Sequence, residues 1–227
     1  MKKKSLSIIS GLAAAVLTAF ASILLIEKMK YLLMILLISA FSIILFLKIL
    51  ERNETDVKKL VIICVMTSIT VASRAIFEFI PHFKPVTAIV IITGLYLGRE
   101  AGFICGAFSA LISNLIFGQG PWTPFQMLAW GLCGFFAALF SKIILKNNVF
   151  LLSYGLLSGI FYSLLMDIYT VLWMEESFNI SRYFAVILTS LPVTVIYCIS
   201  NVTFLILFNK PFYKKIERIK TKYAIKM

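Results

Sequence analysis

Charge is what this chain has least of. Asp, Glu, Lys and Arg make up 14% of its 227 residues, against 61% hydrophobic, and the mean hydropathy is +0.98. A soluble domain carries about 25% charged residues or more. The shortage excludes a water-soluble globular protein and leaves an integral membrane protein. Histidine is nearly missing, with His82 alone. One histidine in a loop near the membrane surface builds no His-rich metal site and gives poor support for a Ser–His nucleophile. The four cysteines, Cys64, Cys105, Cys133 and Cys198, stand far apart in apolar segments, with no CxxC or Cys/His spacing. They read as small buried packing residues. No Walker A sequence occurs, so the chain is not itself a P-loop ATPase. HExxH is lacking, and no repeated half marks a self-contained transporter of inverted repeats. The expectation is a protein that is not an enzyme and has no metal and no intrinsic cofactor.

The formal net charge of +12 invites a nucleic-acid reading. The placement of the charges argues against it. They sit in short clusters at the ends of apolar segments, where they encode topology. Apolar runs between them predict spans at roughly 5–26, 31–50, 59–80, 86–98, 101–117, 125–146, 149–173 and 181–208. All but 86–98 are near or above the roughly 17 residues a spanning helix needs. Lys2-Lys3-Lys4 and the run after them resemble a signal peptide, but the apolar run reaches Ile26. That is spanning length, so an uncleaved first helix is expected.

With both termini cytoplasmic, most of the 22 Lys and Arg fall inside, as the positive-inside rule requires. The fold expected is an all-α integral membrane protein of eight transmembrane helices. Residues 1–57 form a two-helix hairpin with a cytoplasmic linker, 58–210 a six-helix membrane domain, and 211–227 a basic cytoplasmic tail. The hairpin has no internal polar residue beyond Ser and Thr, so function is expected in the six-helix part.

Unusual residues gather at the predicted outer ends of those six helices. Between two apolar runs lies Phe117-Gly118-Gln119-Gly120-Pro121-Trp122-Thr123-Pro124-Phe125-Gln126-Met127. Irregular backbone at membrane depth is tolerated where protein or a water-filled cavity satisfies its polar groups. Two glycines and two prolines shape the loop. Asn114, Gln119, Thr123 and Gln126 add hydrogen-bonding groups, and Trp122 and Trp130 add apolar walls. A small-molecule site has that composition; the bland alternative is an interfacial tryptophan belt plus a turn. Arg74 and Glu78 are four apart and share a helix face. They form either an internal ion pair or part of a cavity lining. Asp167, two turns inside the seventh span, needs a partner: Arg74 first, then a bound ligand, then a proton. Glu175 and Glu176 read as solvated interface residues. Small residues recur at Gly102, Gly106 and Ala110, read as packing within the chain. They recur again at Cys64, Ser68 and Ala72, which pack internally or face another membrane subunit.

Ser73-Arg74, Phe83-Lys84-Pro85-Val86-Thr87-Ala88-Ile89, Gly94-Leu95-Tyr96-Leu97-Gly98, Gly102-Phe103 and the Gly118–Met127 segment carry a resemblance. They look like the substrate-binding S components of energy-coupling-factor (ECF) vitamin transporters, over about residues 58–210. The loop resembles the cobalamin-type branch. The resemblance implies a six-helix, S-component-like bundle in a bacterial plasma membrane that binds a vitamin from outside. It also implies a transmembrane partner subunit and two cytoplasmic ATPases that drive toppling and inward release. The partner-contact stripe of that family, AxxxA, corresponds here to Cys64, Ser68 and Ala72, which departs from alanine. The leading hairpin is additional to the usual core.

The expected function is therefore a substrate-capture subunit of an ECF-type ABC importer. Cobalamin is the first expected ligand, followed by riboflavin, another flavin-like compound or a modified-base precursor. The candidate site comprises Arg74, Phe83, Lys84, Asn114, Gln119, Trp122, Thr123, Gln126, Trp130 and Asp167. Rival readings are a membrane enzyme acting on lipid or isoprenoid, for which Asp167 and Glu78 are the only carboxylates available, and a non-transporting assembly or sensor subunit.

Overall fold

A computed structural model describes residues 57–175 and 178–223 of the chain, with Ile44 ahead of them. Apart from Ile44, which is helical, the expected spans at 5–26 and 31–50 lie outside the described residues. All regular structure within the described residues is helical. In chain order the helices are α1 Val57–Ile76, α2 Val86–Leu97, α3 Arg99–Phe117, α4 Thr123–Leu139, α5 Ser141–Ile144, α6 Asn148–Glu175 and α7 Ile180–Tyr223. Four of these, α1, α3, α6 and α7, are long and apolar enough to cross a membrane; α2 and α4 are shorter apolar helices.

The helix ends follow local chemistry. Gly98 and Gly118 take φ of 98° and 108° directly after α2 and α3, a conformation open to glycine, and stop each helix there. Pro124 sits in the first turn of α4, where its missing N–H costs no bond. The Asn147 side chain accepts from Phe150 N at 2.9 Å, and that of Asn179 from Arg182 N at 3.1 Å, tying down the first turns of α6 and α7.

Three boundaries differ from the sequence-based expectation. The span expected over 59–80 ends at Ile76, and residues 77–85 turn back toward the bundle. The span expected over 125–146 breaks at Phe140, separating α4 from the four-residue α5. The span expected over 181–208 runs on, as one helix, to Tyr223. At 1.5 Å per residue its 44 residues reach ~66 Å, about twice the hydrocarbon thickness. The basic extension is not all solvated: Ile216 is buried, Tyr96 Oη donates to Asn209 Oδ1 at 2.8 Å, and Lys58 Nζ donates to the Tyr223 carbonyl at 3.1 Å.

The shortest apolar helix holds the centre. All 12 residues of α2 are buried, the environment expected of a helix apolar on every side. Around it, α3 and α4 approach to backbone contact. A Cβ placed on Gly134 would stand 2.4 Å from the Gly102 carbonyl oxygen, and one on Gly94 2.0 Å from that of Gly134. Gly106 meets the Trp130 backbone in the same way. Such small-residue crossings give membrane helices dense packing where lipid supplies no hydrophobic drive. The Gly102, Gly106 and Ala110 stripe thus faces α4. Cys64, Ser68 and Ala72 lie on the exposed face of α1, beside Val61 and Val65.

The basic residues gather at one end. Lys59 lies 4.0 Å from the Cβ position of Gly98, Lys58 touches the end of α7, and Lys146 and Lys210 flank hollows that meet at Asn209. Arg74 and Lys84 stand at the other end. Replacing Gly134 by Ala is expected to destabilise the bundle by about 1–3 kcal/mol through overpacking, read as a lower unfolding temperature in mild detergent; an unchanged temperature would refute the backbone crossing.

Candidate functional site

Opposite the basic end, α1, the 77–85 turn, α2, α4, α6 and α7 enclose a cavity of about 360 Å³. Arg74 comes from the last turn of α1, Gln126 and Trp130 from successive turns of α4, Tyr162 from α6, and Tyr197 and Asn201 from successive turns of α7. The turn contributes Pro81, His82 and Lys84, with Glu78 before them. Two of the contributing pairs, Gln126/Trp130 and Tyr197/Asn201, are four residues apart on one helix and so share its side.

The walls are aromatic. Trp130 and Tyr162 stack at 5.3 Å between centroids and 15° between planes. Tyr162 meets Tyr197 edge-on at 5.1 Å, and Tyr197 meets His82 edge-on at 5.7 Å. His82 Nδ1 is also 3.3 Å from Tyr197 Oη. His82 holds φ at 60°, the one non-glycine residue with positive φ among those described. Positive φ is uncommon for a side-chain-bearing residue, though histidine is among the residues enriched there.

Charge enters in two forms. Lys84 and Glu78 form an ion pair at the cavity rim. Arg74 is not part of it. Its Nη1 donates to Ser113 Oγ at 2.5 Å and to Asn114 Oδ1 at 2.8 Å. Its guanidinium lies over the Phe117 and Trp130 rings at 5.2 and 5.4 Å, within cation–π range. Asn114, 1% exposed, is the hub. Its Nδ2 lies 2.8 Å from both Thr123 Oγ1 and Gln126 Oε1. Thr123 Oγ1 donates to Gln119 Oε1 at 2.8 Å, and Gln119 Nε2 donates to the Leu111 carbonyl at 2.8 Å.

The sequence-based candidates therefore divide. Arg74, Lys84, Gln126 and Trp130 line the cavity. Asn114, Thr123 and Gln119 form a brace behind it. Trp122 is outside the lining; its ring covers Gly120, whose Cβ position lies 2.2 Å from it. Phe83 turns away and packs on Phe204 at 5.1 Å. Asp167 is buried but elsewhere. Its carboxylate accepts from Ser190 Oγ at 2.8 Å, not from Arg74, whose side chain is engaged by Ser113 and Asn114. The Arg74–Glu78 pair gives way to Glu78–Lys84. The Gly-Pro-Trp loop thus positions Gln126 and Arg74 from behind rather than forming the wall.

Sequence reasoning missed Tyr162, Tyr197, Asn201 and Thr87, and took His82 for a bare loop residue. One signal was available: Tyr197 and Asn201 are four apart in an apolar span, as Gln126 and Trp130 are. Thr87 stands in the Phe83–Ile89 segment that carries the family resemblance, but nothing local marks His82.

A polytopic helical bundle with a polar, aromatic-walled cavity at one end is built to bind a small molecule within the membrane. The family model described as ECF-type riboflavin transporter, S component, matches residues 54–218, and the chain belongs to that family of ECF S components. No curated protein and no solved structure matches it. The family is one of transporter substrate-binding subunits and not of enzymes, and the chain is a multi-pass protein of the cell membrane.

Replacing Asn114 by Leu leaves Arg74, Thr123 and Gln126 each short of a buried partner. We expect a loss of about 1–3 kcal/mol for each group left unsatisfied, against little change for Gln119→Ala at the exposed end of the chain of bonds. Thermal unfolding of the two variants side by side checks this; equal losses would remove Asn114 from its central position.

Proposed function

We propose that this chain captures a planar aromatic micronutrient, riboflavin first, at the outer face of the membrane, for uptake driven by an ECF transmembrane subunit and two cytoplasmic ATPases. The observation that carries the reading is the cavity wall: Trp130 stacked on Tyr162, closed by Tyr197, with the Arg74 guanidinium laid over Trp130. A flat heterocycle meets such walls by offset stacking. Gln126, Asn201 and Thr87 offer hydrogen-bonding groups to a hydroxylated side arm. The volume, about 360 Å³, lies in the range of small-molecule pockets, ~300–1,000 Å³. A corrinoid with its nucleotide arm exceeds it, and the matching family is named for riboflavin. Both considerations move cobalamin from first place. A modified-base precursor, also planar, remains the second reading.

The orientation rests on charge. With the Lys-rich end in the cytoplasm, the cavity opens outward, and among the described residues α1 begins and α7 ends on the inside. The exposed Cys64, Ser68 and Ala72 face suits close approach of a transmembrane partner. A membrane enzyme would need cooperating carboxylates, yet Glu78 is held by Lys84 and Asp167 by Ser190.

Quenching of riboflavin fluorescence by the purified chain tests the reading. Wild type is expected to quench saturably. Trp130→Ala is expected to weaken affinity about tenfold, the value of one ring pair at the upper end. Absence of saturable quenching, or the same affinity in the variant, would refute riboflavin; saturable binding of a base precursor, read by quenching of the protein's tryptophan fluorescence, without riboflavin binding would favour the second reading. Recovery of a transmembrane partner and two ATPases in mild detergent separates transport from an assembly or sensor role.

A further inference from the structure

The basic end carries a second concavity that the capture function does not use. Two hollows, of about 160 and 370 Å³, adjoin between the start of α6 and the middle of α7 and share Asn148, Leu151 and Asn209. Lys210 lines one and Lys146 the other, and no acidic side chain among the described residues lines either. The remaining walls are mostly aliphatic. Beside the opening, Val149 and Ile206 are 69% and 60% exposed, as side chains in contact with hydrocarbon would be. The concavity shares no residue with the aromatic cavity at the opposite end.

We propose that this concavity holds the headgroup of an anionic phospholipid, with its phosphate between Lys146 and Lys210 and its upper acyl segments against Leu151 and Ile206. Three features converge on that occupant. Lys146 and Lys210 line adjoining hollows that have no acidic side chain among their described lining residues, which favours an anion. Lysine serves phosphate as a compact point charge. The aliphatic walls and exposed apolar rim suit acyl chain, which free phosphate lacks. Basic pockets between transmembrane helices on the cytoplasmic side are suited to anionic headgroups by the same physics. The asparagines at the shared floor, Asn148 and Asn209, supply amide groups for the glycerol and phosphate oxygens. The lipid would brace the basic part of α7 against α6.

Native mass spectrometry of the full-length chain in detergent, titrated separately with phosphatidylglycerol, phosphatidylcholine and inorganic phosphate, tests the proposal. Wild type is expected to retain phosphatidylglycerol in preference to phosphatidylcholine. Lys146→Gln with Lys210→Gln is expected to weaken it by about fivefold for each lysine removed. Lys214→Gln with Lys215→Gln, further along α7, is expected to leave retention near wild type. All four lysines are exposed, so the variants should fold, and an unchanged unfolding temperature in mild detergent verifies that the bundle is intact. Equal retention of the two lipids would overturn the proposal, as would equal loss in the two double variants. Inorganic phosphate binding that is lost in Lys146→Gln with Lys210→Gln, while wild type retains no phosphatidylglycerol, would assign the site to free phosphate instead and also overturn it.

Discussion

The Arg74 guanidinium, enclosed within a membrane bundle, sets the terms for the rest of this molecule. A charge at that depth is costly unless protein groups replace its water. Here they are a serine, an asparagine and two aromatic faces. Asn114 receives the guanidinium on its oxygen and spends its nitrogen on Thr123 and Gln126. One amide thereby ties α1, α3 and α4 together at the cavity. The rigid loop between α3 and α4 exists to present Thr123 and Gln126 at the right distance from it.

That polar brace requires the helices behind it to hold their spacing. The glycines of α2, α3 and α4 supply this by letting backbones touch at Gly94, Gly102 and Gly134. Dense packing at the middle and hydrogen bonds at the cavity act in series. The first sets how near α3 and α4 come, and the second fixes the rotation that turns Arg74, Gln126 and Trp130 toward one space. On the far side α6 and α7 complete the enclosure, with Tyr162 and Tyr197 in edge contact.

The two ends of the bundle differ in chemistry as their environments differ. One end concentrates aromatic rings, the Arg74 guanidinium and two ion pairs, Lys84–Glu78 and Arg182–Glu175, a combination that suits the flat solute proposed above. The other concentrates lysines on a helix that outlasts the hydrocarbon and folds its apolar residues, Ile216 among them, back onto the core. On the proposed function the cavity must be coupled to partner subunits, and the exposed small-residue face of α1 is where a transmembrane partner would approach closely.

Membrane residence, six apolar helices after residue 57, the clustering of their charges, and the gathering of Arg74, Lys84, Gln126 and Trp130 around one cavity were legible from the chain alone. Hydropathy and charge clustering act locally along the sequence, and the i, i+4 spacing of Gln126 and Trp130 follows from helix geometry. What only the tertiary structure decided was partnership. Asp167 is buried and Arg74 half-buried, charges of opposite sign, yet helix packing directs one to Ser190 and the other to Asn114. Glu78 finds Lys84 because the chain turns back at 77–85, which no periodicity announces. Tyr162, Tyr197 and His82 enter the wall because three segments distant in sequence converge at one end of the bundle, and a side chain's neighbours across a bundle are set by helix rotation and crossing, quantities that one-dimensional patterns do not carry.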